Sequence, residues 1–120
     1  MKQLASAILT LAMVATTSAA SAHPLLKAAT PMPDAVLKSS PPEVRIKFSE
    51  GLVAAFSGLE LKDGAGRPVA VGAAKVDPTD NSELAAAVFA TLSPGTYTVN
   101  WHAVGDDTHH VSGAYRFEVR

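Results

Sequence analysis

At 120 residues, with 10 Lys and Arg against 11 Asp and Glu, the chain has room for one domain and carries almost no net charge. That balance excludes the basic surface of a nucleic-acid-binding protein. The absence of cysteine excludes disulfide staples and every metal chemistry built on thiolate, namely blue copper, iron–sulfur and thiolate zinc.

Residues 1–22 have the pattern of a secretory signal. Lys2 supplies a short positive region, Leu4 to Ala15 an apolar stretch, and Ala20-Ser21-Ala22 a small-x-small cleavage site. Cleavage after Ala22 leaves residues 23–120 as the mature domain, with no cysteine to lipidate and no apolar run near the roughly 18 residues that span a bilayer. An exported, soluble product is expected. Its first residue is then His23. An N-terminal histidine offers two adjacent nitrogen donors, the α-amine and ring Nδ1, which close a six-membered chelate ring on one metal ion. An internal histidine has only an amide in place of that amine, so the position of the cut decides whether the chelate exists.

Beyond His23, the eight prolines, all between 24 and 94, argue against long helices. Val44, Ile46 and Phe48 alternate with Arg45 and Lys47, the period-2 signature of a half-buried strand. Leu59 and Leu61 form a shorter strand that runs into the turn Asp63-Gly64-Ala65-Gly66. Val69 to Val76 predicts a strand broken at Gly72. Glu83 to Thr91, although alanine-rich, alternates loosely through Leu84, Ala86, Val88 and Ala90 and is followed by the turn Ser93-Pro94-Gly95. Strands over 96–104 and 114–119 follow, with Trp101 facing the core and His102 facing outward. About seven short strands separated by turns make an all-β sandwich.

The stretch Gly105-Asp106-Asp107-Thr108-His109-His110-Val111-Ser112-Gly113 links the last two strands and is expected as a loop at one end of the sandwich. Asp107 and His109 form an Asp-x-His pair whose carboxylate and imidazole can converge on one ion. With the amine and Nδ1 of His23 they make an N3O set, and Cu(II) heads the affinity order for such ligands. An Asp-x-His pair alone is weak, since Asp107 can simply close a turn and His109 and His110 sit in solvent.

Several motifs in order resemble the bacterial CopC copper-resistance family. They are His23-Pro24-Leu25, Thr30-Pro31, Phe48-Ser49-Glu50, Gly95-Thr96-Tyr97-Thr98-Val99-Asn100-Trp101 and Asp107-Thr108-His109-His110-Val111-Ser112-Gly113. The resemblance covers essentially the whole of residues 23–120. It implies a Greek-key, immunoglobulin- or cupredoxin-like sandwich that binds one Cu(II) in the periplasm as a monomer. His23 would be the bidentate ligand, His109 the second imidazole and Asp107 the adjacent carboxylate. It further implies that Glu50 lies near the metal as a partner of the amine, and that copper is sequestered or passed to a CopD-type inner-membrane protein. Some members carry a second, Cu(I) site rich in methionine; here Met32 is the only methionine after residue 22, so that site is not expected. At position 110, where the family often has proline, this chain has His110, a spare donor beside the site.

Two alternatives belong to other classes. A histidine brace also occurs in copper oxygenases that cleave polysaccharides, which would make the chain an enzyme with a broad, often aromatic surface. A sandwich without metal would serve as a protein-interaction module.

Overall fold

Alternation of apolar and polar side chains builds the strands and fixes which face each one buries. In the computed structural model, which describes residues 25–120, these are β1 (Leu26–Thr30), β2 (Val36–Leu37), β3 (Glu43–Phe48), β4 (Gly58–Lys62), β5 (Pro68–Val69), β6 (Lys75–Asp77), β7 (Asp80–Ala87), β8 (Gly95–Val104) and β9 (His110–Val119). A short 3-10 turn, Ala54–Phe56, lies between β3 and β4. The signal-like segment and His23 lie outside the described residues.

The strands form a four-stranded sheet, β1-β3-β7-β6, and a five-stranded sheet, β2-β9-β8-β4-β5. All pairings are antiparallel except β2 with β9. From β3, Val44, Ile46 and Phe48 point into the core, joined by Leu84 of β7. The opposite sheet contributes Leu61, Val99, Trp101 and Phe117. Phe48 meets Trp101 edge-on at 5.1 Å and 67°, which locks the two layers together. Trp101 is opposite Gly113 on β9, and a Cβ there would come within 2.5 Å of the indole, so glycine leaves the ring its place.

The strand count exceeds the expected seven because β1 and the two-residue β2 carry no alternation to read, and the strand expected over Val69–Val76 is instead two short ones, β5 and β6, which belong to different sheets. β7 begins earlier than the alternation of 83–91 suggests, at Asp80, and ends at Ala87. Its polar start is held by charge: Lys47 on β3 binds Asp80, and Arg45 binds Glu43, Asp77 and Glu83 at 2.8–3.1 Å. A third difference bears on the site. The expected loop over 105–113 is shorter, because β9 starts at His110 and pairs it with Val104. Only residues 105–109 connect the two longest strands.

Candidate metal centre

The connection between β8 and β9 is a tight hairpin tip. Gly105 N–H donates to the His109 carbonyl at 3.1 Å, and Thr108 N–H donates to the Gly105 carbonyl at 2.9 Å. Thr108 has φ of 70°, a left-handed backbone. This is a turn followed by one left-handed residue, a common way to close a three-residue hairpin loop. The β4–β5 hairpin does the same. There Asp63 N–H donates to the Arg67 carbonyl, Gly66 N–H donates to the Asp63 carbonyl, and the left-handed residue is Gly66 at φ 78°. Glycine adopts that conformation without strain, whereas a β-branched residue does not. The strain at Thr108 therefore sits between the two candidate ligands, and it sets the path of the chain from Asp107 to His109. Thr108→Gly should stabilise the metal-free protein by about 1 kcal/mol, the left-handed penalty less the entropy that glycine adds to the unfolded chain. Urea denaturation measures this, and a loss of stability would show that no strain is stored there.

Asp107 and His109 are brought together as the sequence pattern predicts. Asp107 Oδ2 lies 2.8 Å from His109 Nδ1, and Asp107 Oδ1 accepts the His109 backbone N–H at 3.1 Å. The His109 side-chain contact is the leading reason that the Asp107 carboxyl is held below the usual carboxylate range, and the backbone N–H adds to it. An ionised Asp107 accepts, so Nδ1 is the donor, and Nε2 is the acceptor nitrogen of the neutral imidazole.

Glu50 reaches this tip from the other sheet. The segment after β3 runs beside it: Leu52 bridges Gly105, Asp106 N–H donates to the Gly51 carbonyl at 3.1 Å, and Val53 N–H to the Val104 carbonyl at 2.8 Å. Glu50 Oε1 is buried without a hydrogen-bond partner among the described residues. Burial of the charged form, followed by the negative charge of Asp107, pushes the Glu50 carboxyl above its ordinary value. An unsatisfied acceptor in such a place is a demand for a cation or a donor.

The start of β1 is tied to the same corner. Leu25 N–H donates to Ser49 Oγ at 2.8 Å, and Ser49 N–H donates to the Leu25 carbonyl at 2.8 Å. His23 is two residues upstream, outside the described residues. Among the described residues no three His, Asp or Glu side chains converge as a metal-holding set. Asp107 and His109 are the candidate ligands that the described residues bring together.

The other histidines face elsewhere. His102 is exposed on β8, its ring lying over Gly58 of β4. His110 is a strand residue rather than a loop residue, on the same outer face, and together with Phe56 the two line one shallow groove. Trp101 belongs to the core, as expected. Sequence reasoning missed Ser49 as the tether for Leu25, because a single serine after a strand carries no local signal.

The match to a family model, CopC domain, spans residues 26–120. Protein YobA of Escherichia coli K12 is 34% identical over 116 residues, covering 97% of this chain and 92% of that protein. Copper resistance protein C of Escherichia coli is 36% identical over 107 residues, covering 84% of each. The crystal structure of PcoC, a methionine-rich copper resistance protein from Escherichia coli, superposes with a TM-score of 0.73 at 34% identity, covering 82% of this chain and all of that one. With nearly the whole described sandwich matched, the chain belongs to the CopC family.

Proposed function

We propose that this chain is a periplasmic Cu(II)-binding protein for copper resistance, which sequesters the ion or delivers it to a CopD-type membrane transporter. The observation that carries the reading is the convergence of three segments at one end of the sandwich: Asp107 and His109 on the hairpin tip, Glu50 beside them, and the Leu25–Ser49 tether at the start of β1. Two residues of extended chain reach about 7 Å, so a chain leading into a tethered Leu25 would let His23 reach that tip. With the signal removed after Ala22, the His23 amine and Nδ1, His109 Nε2 and Asp107 complete a three-nitrogen, one-oxygen set on a single Cu(II), and Glu50 faces the amine. The protein acts as a monomer and a carrier: the site stands on a loop at the end of a rigid scaffold, open to ligand exchange.

The aromatic side chains favour a carrier over an oxygenase. Phe48, Tyr97, Trp101, Tyr115 and Phe117 are buried, which leaves only Phe56 and Phe89 exposed and no broad aromatic platform for a polymer. Copper resistance protein C is named for resistance, and PcoC is described as methionine-rich. This chain has Met32 alone after residue 22, so it lacks that methionine richness and the thioether donors that would suit Cu(I).

The mature protein, its N-terminus verified by intact mass, should bind one Cu(II) with a type-2 electron paramagnetic resonance (EPR) spectrum and no intense blue charge-transfer band. Copper titration at pH 7 measures this. A second tight equivalent, or strong Cu(I) binding, would overturn the single-site reading; no stoichiometric uptake at all would leave an interaction module.

A further inference from the structure

Gly105 is buried at the exact point where the Glu50 and Asp107 carboxyl groups meet. A Cβ built on it would lie 1.8 Å from Glu50 Oε1 and 2.9 Å from Asp107 Oδ1. The first of these separations is impossible. Its φ is not in the left-handed region, so the backbone itself accepts alanine. What glycine provides here is room, and the Glu50 carboxyl fills it. We propose that Gly105 is a positioning residue of the metal centre: its missing side chain opens the space that holds the Glu50 carboxylate against Asp107, beside the incoming cation.

The inference rests on the copper reading above and adds a determinant to it. The atom that a Cβ would displace is the far end of a flexible side chain, so Gly105→Ala moves Glu50 and leaves the hairpin hydrogen bonds between Gly105 and His109 in place. Glu50 then swings out of the site, and Asp107 loses its carboxyl neighbour. The variant should behave as Glu50→Gln does in copper binding while keeping the wild-type fold.

The experiment compares wild type, Gly105→Ala, Glu50→Gln and the double variant by Cu(II) titration, Cu(II) EPR and thermal unfolding of the metal-free proteins. Each single variant should lose about tenfold in Cu(II) affinity, the usual effect of removing a partner of a metal ligand. The double variant should lose no more than either alone, since both remove one contact. Both single variants should shift the EPR parameters in the same direction. In the metal-free proteins, the His109 amide resonance should move alike in both single variants, because that N–H is bound to Asp107. Wild-type affinity in Gly105→Ala, or losses that add in the double variant, would overturn the proposal. If Gly105→Ala unfolds early, Glu50→Asp/Gly105→Ala decides instead: the shorter carboxylate leaves room for the Cβ, so recovered folding supports the steric argument and continued unfolding refutes it. Copper binding unaffected by His109→Ala would instead sink the copper-site reading itself, whatever Gly105 does.

Discussion

Adding one residue before His23 should weaken Cu(II) binding by more than about a hundredfold, a loss of about 3 kcal/mol. The extension turns the α-amine into an amide, which removes one donor and opens the six-membered chelate ring in a single covalent step. The rest of the protein is untouched. Leu25 stays tied to Ser49 and the hairpin tip keeps Asp107 on His109, so the metal-free fold and its stability should not change. His109→Ala should cost a comparable factor, because it removes the proposed second imidazole ligand and also releases the Asp107 carboxylate from its partner. His102→Ala is the control. That histidine lies over Gly58 on the outer face of the five-stranded sheet, and its loss should leave copper affinity within about twofold, since surface changes away from a site perturb by at most about 0.5 kcal/mol. Isothermal titration of the three variants against the mature protein measures each factor. An extended protein that binds as tightly as the mature one would show that the amine is not a ligand.

The sandwich was legible where alternation is strong. Val44-Ile46-Phe48 and Tyr97-Val99-Trp101 announce buried faces, and those residues form the contact between the layers. The Asp107–His109 pair was legible because its two members are local: a carboxylate and an imidazole two residues apart need only one tight turn to meet. Three other features were not. β9 extends down to His110 through Val111-Ser112-Gly113, a stretch whose small and polar residues hide its strand character, since Gly113 is there to admit Trp101 rather than to turn the chain. The polar start of β7 looks like a turn in sequence and is a strand because Lys47 and Arg45 on its neighbour neutralise its acids. Glu50 and Gly105 meet because the segment after β3 runs along the hairpin tip, through the Leu52–Gly105 bridge and the Asp106–Gly51 and Val53–Val104 hydrogen bonds, contacts that no short window of sequence contains. What sequence conveys poorly is therefore long-range register. The site depends on that register to bring a third segment to the hairpin tip.

Lowering the pH from 8 to 5 should reduce Cu(II) affinity by more than about a thousandfold. The sign follows from which groups must lose a proton to bind. The α-amine has a reference pKa near 7.7–8.0 and the two imidazoles near 6.5, so each is protonated in turn as pH falls, and each then costs up to about tenfold in affinity per pH unit. The amine alone accounts for about two and a half orders of magnitude over this range, and the imidazoles add to it below about pH 6.5. Asp107 contributes nothing to this fall. The His109 side chain and backbone N–H hold its carboxyl below the usual carboxylate range, so it remains ionised throughout. Copper release should accordingly be coupled to uptake of more than one proton, which potentiometric or competitive chelator titrations at several pH values resolve. Acetylating the amine separates the contributions: binding weakens at every pH, and the slope above about pH 6.5 flattens while the imidazole-driven fall below it persists. A site made only of carboxylates would bind copper almost equally at pH 8 and pH 6. Affinity that stayed level across that interval would therefore remove both histidines from the metal's coordination sphere.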